Sequence, residues 1–279
     1  MARRLTAKDI KENIKANRKV FIVWALLRGI VIISLVFSIL RGQYENAFTC
    51  LLVLFLFLLP SIIEKNLKIE FPTGIQIAIL IFIFAAEILG ELACYYVRFK
   101  YWDTILHTTW GFLCAAFGFS LIDILNKDNR VHFKVSPAYL AVCAFCFSMT
   151  IGVIWEFFEF SIDNLFLKDM QKDTIITTIS SVYLDETMSN IPIVVPNITE
   201  TVINGDTVIN GYLDIGLYDT MEDLFVNFIG ALTFSVIGYF SAKRGRNSLL
   251  LSSLVPRMKE DSPESETEEF KNSSPDINE

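Results

Sequence analysis

Glu87 with Glu91, Asp103 with His107, Glu156 with Glu159, and the series Asp219, Asp223, Asn227 are acidic, imidazole or amide side chains set three or four residues apart inside apolar stretches. That spacing places each set on one face of a helix. An ionisable group within hydrocarbon costs several kcal/mol, so such residues turn toward a protein interior and mark function. The carboxylates of Glu87, Glu91, Asp103, Glu156, Glu159, Asp219 and Asp223 stand against one histidine and Arg28. Packed in a low dielectric they cannot all ionise without a counter-charge. A divalent cation, shared protons, or an aqueous vestibule would each resolve the conflict. Oxygen and nitrogen donors without thiolate suit Mg, Mn, Zn or iron. No single stretch is a metal signature.

The elements that position these groups are membrane spans. Apolar residues make up 53% of the chain, aromatics 13%, and Phe occurs 24 times. Apolar runs long enough to cross a bilayer as helix predict spans over 20–40, 47–63, 75–96, 104–125, 138–160 and 219–241. The fold class is all-α: a polytopic bundle of six transmembrane helices, with a long extracytoplasmic loop, 161–218, between helices five and six. Arg3, Arg4, Lys8, Lys11, Lys15, Arg18 and Lys19 precede the first span and by the positive-inside rule hold the N-terminus in the cytoplasm. The first apolar stretch is too long for a signal peptide and has no small-residue cleavage pattern. Six spans return the C-terminus to the same side. Lys127, Arg130 and Lys134 in the loop 126–137, and Lys243, Arg244 and Arg246 after the last span, agree; Arg41, Arg98 and Lys100 on outer loops run against the rule. The organisation is a basic N-terminus (1–19), a transmembrane domain (20–241) and an acidic tail (242–279).

This topology sets depths. At 1.5 Å per residue, Glu91 lies about 7 Å and Glu87 about 13 Å below the outer boundary, His107 about 6 Å, Asp223 about 6 Å and Asn227 about 12 Å. Asp103, Glu156, Glu159 and Asp219 lie in the outermost turns. All fall in one outer-leaflet layer, while the inner halves are nearly free of charge apart from Asp123. The candidate ligands of a divalent cation are Glu91, Asp103, His107, Glu156, Glu159, Asp219, Asp223 and Asn227, with Glu87 in support. His107 and Glu156 form the candidate acid/base pair, because imidazole titrates near neutrality. Arg28, mid-membrane on span one, either snorkels to the cytoplasmic headgroups or offsets the carboxylates from below. Gly111 and Gly230 support close helix approach, as does Gly90. Trp102, Trp110 and Trp155 cluster near the layer, where interfacial tryptophan belts also occur. Cys50, Cys94, Cys114, Cys143 and Cys146 all lie in apolar spans and read as small packing residues. His132 belongs to a basic loop and reads as solvated.

Within 161–218 the pentapeptide TVING occurs at Thr201–Gly205 and Thr207–Gly211. Alternating Val, Ile and Thr with Asn-Gly predicts short strands and turns. The segment either caps the outer mouth of the site or is a tethered surface loop. From about Pro256 the tail is acidic and Ser/Pro-rich, a composition that predicts disorder.

The blocks Asp103-Thr-Ile-Leu-His107-Thr-Thr-Trp-Gly111, Trp155-Glu156-Phe-Phe-Glu159 and Tyr218-Asp219-Thr-Met-Glu-Asp223-Leu-Phe-Val-Asn227-Phe-Ile-Gly230 resemble the YjdF-like group of uncharacterised bacterial inner-membrane proteins. The D-x-x-x-H start of span four is also similar to VanZ-like membrane proteins. The resemblance covers spans three to six and implies a multi-pass protein of the bacterial plasma membrane; it carries no activity with it. Two functional classes follow from the residues. One is a divalent-metal-dependent hydrolase or transferase acting on a membrane lipid or lipid-linked envelope substrate, the metal polarising the substrate or activating water. The other is a cation- or proton-coupled transporter, against which stand the missing inward polar path and the lack of an inverted repeat. A structural or regulatory membrane protein is the plainer alternative. No nucleic acid is expected as a partner.

Overall fold

A computed structural model describes residues 18–67, 69–127, 135–244, 255 and 257–258. The basic residues 3–15, Arg130, His132, Lys134, Arg246 and the tail beyond 258 lie outside the described residues. Among the described residues, six helices are long and apolar enough to cross a membrane. Helix α1 is Arg18–Leu40; α2 (Tyr44–Leu56) and α3 (Leu59–Leu67) make the second span. The break between them comes just before Pro60, which has no N–H to continue the ladder. Helix α4 (Thr73–Ile83) runs on as a π-helix, Phe84–Leu92, and is followed by the short α5 (Tyr95–Arg98). The last three spans belong to α6 (Trp102–Lys127), α7 (Pro137–Phe166) and α8 (Leu217–Lys243).

The chain divides into two compact units, residues 1–149 with 227–279, and Thr150–Val226. In the first, Leu27, Val31, Cys50, Val53, Phe57, Leu80 and Ile88 form one core, uniting α1, α2, α4 and the π segment. A second core joins Ala115, Ala116 and Phe119 of α6, Leu140 and Ala144 of α7, and Ala231 and Phe234 of α8. The opposite faces of α1 carry exposed Ile, Leu, Val and Phe, as lipid-facing helix requires. Arg28 stacks its guanidinium over Trp24, 4.8 Å from the ring centre. Trp24 is one turn nearer the N-terminus, so the charge is drawn toward the N-terminal end of α1, the direction that snorkelling takes.

Three residues at the start of the tail belong to the fold. Val255 is buried in the second core, and strand β8 (Arg257–Met258) pairs antiparallel with β1 (Ile69–Glu70). Ile69 and Phe71 are themselves buried. The Glu64 carboxylate fixes this edge by accepting from Phe71 N–H and Gln76 Nε2, both at 2.8 Å. An apolar Val followed by a strand edge outweighs the acidic composition that follows it.

In the second unit, α7 runs to Phe166, six residues past the predicted span end, and α8 starts at Leu217. Nothing in 161–166 breaks a helix; Leu167, at φ 51°, ends it. The outer segment carries strands β2 (Thr174–Ile176), β3 (Ile179–Ser181), β4 (Ile193–Val195), β5 (Thr201–Ile203), β6 (Thr207–Ile209) and β7 (Tyr212–Asp214). They pair β2 with β7, β3 with β4 and β5 with β6. The two TVING copies are thus the two arms of one hairpin, turned by Asn204 and Gly205, both at positive φ. The second Asn-Gly is no hairpin turn: it leads into β7.

Carboxylates hold this segment. Asp163 accepts the N–H groups of Met170 and Gln171, Asp214 that of Tyr218 at the start of α8, and Asp219 that of Lys172. Farther out, Asp185 accepts from both N–H and Oγ of Thr187 and of Ser189. Hydrogen bonds from Thr187 and Ser189 hold the Asp185 carboxyl well below the usual carboxylate range. A depressed pKa gives stability that is complete above the ordinary carboxylate value and lost as pH falls toward the folded one. Amide exchange at Thr187 and Ser189 is therefore expected to stay protected from neutral pH down to about pH 4, and Asp185→Ala to lose that protection already at pH 7. Equal exchange in both proteins would refute the role.

Candidate functional site

Within the second unit, Gly152, Glu156 and Glu159 share the buried face of α7, while Ile154, Phe157, Phe158 and Phe160 are exposed. The i, i+4, i+7 spacing makes this face. Asp223 of α8 is equally deep: Glu156, Glu159 and Asp223 are 5%, 7% and 3% exposed. Each offers one oxygen, and these oxygens lie within 4.8 Å of one another. At an effective dielectric of about 20, each ionised pair at that separation repels by roughly 3–4 kcal/mol. Three such groups hold together only with protons or a cation among them. Asp219 lies one turn before Asp223, and its Oδ2 accepts the Lys172 backbone N–H at 2.8 Å. Trp155 packs its ring on Phe158, 5.3 Å between centres, away from the acidic face.

Within the other unit, Asp103 and His107 face each other on α6, Oδ1 to Nε2 at 3.5 Å, the i, i+4 pair that the spacing predicts. One turn inward the backbones of α6 and α8 come into contact. A Cβ on Gly230 would overlap the carbonyl of Thr108, and one on Gly111 the carbonyl of Asn227. Asn227 is 1% exposed; its Nδ2 donates to Met149 Sδ at 3.5 Å. Ser148 joins from α7, its Oγ donating to the Gly111 carbonyl at 2.7 Å. Ser148 was not predicted as part of the site. The available signal was its position four and eight residues before Gly152 and Glu156, on the face they share.

Glu87 and Glu91 do not join either group. Among the described residues neither contributes to a set of three metal-competent side chains, and Glu91 is exposed. The reason is the π segment Phe84–Leu92, closed by the i→i+5 bond from Ala93 N–H to the Ile88 carbonyl. Its wider turns rotate Glu91 away from the direction that α-helical spacing assigns. Gly90, too, serves a local purpose: it makes room for the Tyr96 ring. Trp110 stacks on Phe82 and Trp102 meets Tyr95 edge-on, so both tryptophans act as packing groups between neighbouring elements.

Residues 22–244 match the family model described as "Predicted membrane protein (DUF2238)". The chain belongs to this family. A relative from Thermotoga maritima, itself described as an uncharacterized protein, is 29% identical over 137 residues, covering 48% of this chain and 67% of its own length. No solved structure matches the chain. As a DUF2238 member it is a multi-pass membrane protein.

The seam is sensitive to volume. Gly111→Ala and Gly230→Ala are each expected to push α6 and α8 apart and destabilise by about 1–3 kcal/mol, as overpacking does. Gly29→Ala is the control, because a Cβ there meets nothing within 4 Å. Thermal melting in detergent measures all three; equal midpoints would show that the helices are not in backbone contact.

Proposed function

We propose that this protein binds a divalent cation through Glu156, Glu159 and Asp223, and uses it to hydrolyse or transfer a group on a lipid or lipid-linked envelope substrate in the outer leaflet. The observation that supports the reading is three carboxylates, each at least nine-tenths buried, with oxygens within 4.8 Å of one another. A dipositive ion offsets their mutual repulsion, and oxygen donors suit a hard or borderline cation. His107 is the nitrogen donor of this reading and shares acid/base duty with Glu156, its ring steered by Asp103. Asn227 and Asp219 complete the proposed set from α8, where each lies one turn from Asp223. Glu91, exposed and turned away, drops out, and Arg28, held over Trp24, takes no part. The lipid-linked substrate follows from the depth of the carboxylates in the spans. The cytoplasmic orientation of both termini follows from Arg18 and Lys19 before α1 and from Lys243 and Arg244 at the end of α8. The three blocks shared with the YjdF-like group support assignment to that branch of the family, in the bacterial plasma membrane.

A ligand that binds only the folded state stabilises it by about 2.7 kcal/mol at a hundred times its Kd. The melting temperature in detergent is therefore expected to rise with Mn, Mg or Zn and fall with chelator. Glu156→Gln and Asp223→Asn abolish the response, His107→Ala weakens it, and Glu91→Gln keeps it. Mass spectrometry of bacterial lipid extract, incubated with protein and metal, is expected to show a converted lipid that Glu156→Gln fails to produce. A midpoint indifferent to metal and chelator overturns the cation; a metal response without conversion overturns the chemistry alone.

A further inference from the structure

Between the π segment and α6 the chain makes a tight turn that the cation site does not use. Cys94 opens it at φ 59° and ψ 36°, a left-handed conformation that residues with a Cβ rarely adopt. The short α5 follows, and the Trp102 N–H then donates to the Phe99 carbonyl at 2.9 Å. Across such a turn the Cα atoms of 99 and 102 lie within about 7 Å of each other. Tyr95 fixes it, its ring 4.6 Å from that of Phe99 and 4.9 Å from that of Trp102, centre to centre. Arg98, Lys100 and Trp102 therefore share one compact stretch of backbone.

Along this stretch apolar and basic side chains alternate. Val97, Phe99 and Tyr101 are 82%, 52% and 64% exposed, and Arg98 and Lys100 are exposed between them. Among the described residues neither cation has a carboxylate within ion-pair distance; Lys100 lies over the Tyr101 ring, 5.6 Å from its centre. No acid occurs between Glu91 and Asp103, and Asp103 turns an oxygen toward His107. Trp102 supplies the independent observation: its Nε1 is buried and has no acceptor among the described residues. An indole N–H can only donate, and buried donors find acceptors. With the termini in the cytoplasm, as proposed above, both cations stand at the end of the spans from which the positive-inside rule removes them.

We propose that the turn Val97–Trp102 binds the headgroup phosphate of an anionic glycerophospholipid. Arg98 offers two phosphate oxygens its planar guanidinium, Lys100 adds a point charge, and the Trp102 indole N–H donates to the same group. Val97, Phe99 and Tyr101 lie against the glycerol and the upper acyl chains. Tyrosine and tryptophan belong at this level of a bilayer, where one end of the ring is dry and the other wet. A zwitterionic lipid carries the same phosphate but brings an ammonium that two cations repel, so a headgroup of net negative charge is preferred. The site goes beyond the cation reading and stands without it, since no residue of it is a proposed metal ligand.

The test is native mass spectrometry of the full chain in detergent, titrated with phosphatidylglycerol, phosphatidylcholine or an uncharged diacylglycerol glycoside of the same acyl chains. Phosphatidylglycerol is expected to bind at least tenfold more tightly than either of the others. Arg98→Ala combined with Lys100→Ala abolishes that preference, and Arg98→Lys combined with Lys100→Arg retains it. Trp102→Phe keeps a ring against Tyr95 but removes the donor, and weakens binding severalfold. Arg41→Ala, which removes an exposed cation from another loop, leaves binding intact. Metal-dependent melting should be unchanged in the double alanine variant, which separates failure of this proposal from failure of the cation reading. Equal affinity for phosphatidylglycerol and the glycoside overturns the proposal, as does wild-type binding in the double alanine variant or in Trp102→Phe. Displacement of the lipid by an equal concentration of glycerol phosphate overturns it too, because it would mark a site for free phosphate.

Discussion

Where Gly230 meets the Thr108 carbonyl and Gly111 meets that of Asn227, two membrane helices touch through their backbones. In lipid there is no hydrophobic drive to press helices together, so association depends on close packing and on hydrogen bonds between helices. The seam has both. Ser148 ties α7 to the same level through the Gly111 carbonyl, and Met149 receives the Asn227 amide. Every chemically interesting residue of the last three spans is counted from this level by helical geometry. His107 and Asp223 stand one turn outward on their own helices, and Glu156 two turns outward on α7. Asp123 stands three turns inward.

Carboxylates in this chain fall into two kinds, distinguished by what faces them. Asp163, Asp185 and Asp214 accept backbone N–H groups and fix the path of the segment between α7 and α8. Such an acid is stabilised as the anion by its donors and needs no counter-ion. Glu156, Glu159 and Asp223 also bring oxygens within 4.8 Å of one another. Packing three acids at this depth raises the energy of the folded state unless something positive is shared among them. A fold that keeps such a cluster is built around whatever resolves it.

The six spans were legible because long apolar runs have one outcome in a bilayer, and the TVING hairpin because Asn-Gly supplies two positive-φ residues. The pairs Asp103/His107 and Glu156/Glu159 were legible because α-helical spacing is regular. Glu87/Glu91 misled for the same reason: the spacing argument assumes α geometry, and residues 84–92 are π. The extra turns of α7 escaped because Ser161, Asp163 and Asn164 interrupt the apolar run there, although nothing in 161–166 breaks a helix. Ser148 was passed over because a lone serine in a span usually bonds its own helix. Only the neighbouring helix turns it into part of a site. The pairing of Arg257–Met258 with Ile69–Glu70 joins segments far apart in the chain, and composition carries no trace of such partners.

That difference between local and long-range signal bears on the inner acid. Read alone, Asp123 is one charge two residues from the end of a span, where lysine and arginine commonly wait and where hydration is close. Read against α8, it is the continuation of a contact face whose preceding residues are Ala115, Phe119, Phe234 and Gly238, all buried. A helix that needed only an interfacial anchor could place the acid on any face, and most faces there would leave it wet. Placing it on the packed seam costs desolvation and the loss of an apolar contact. The outer cluster has the same property. The packed face of α6 therefore spends stability on a buried acid at Asp123.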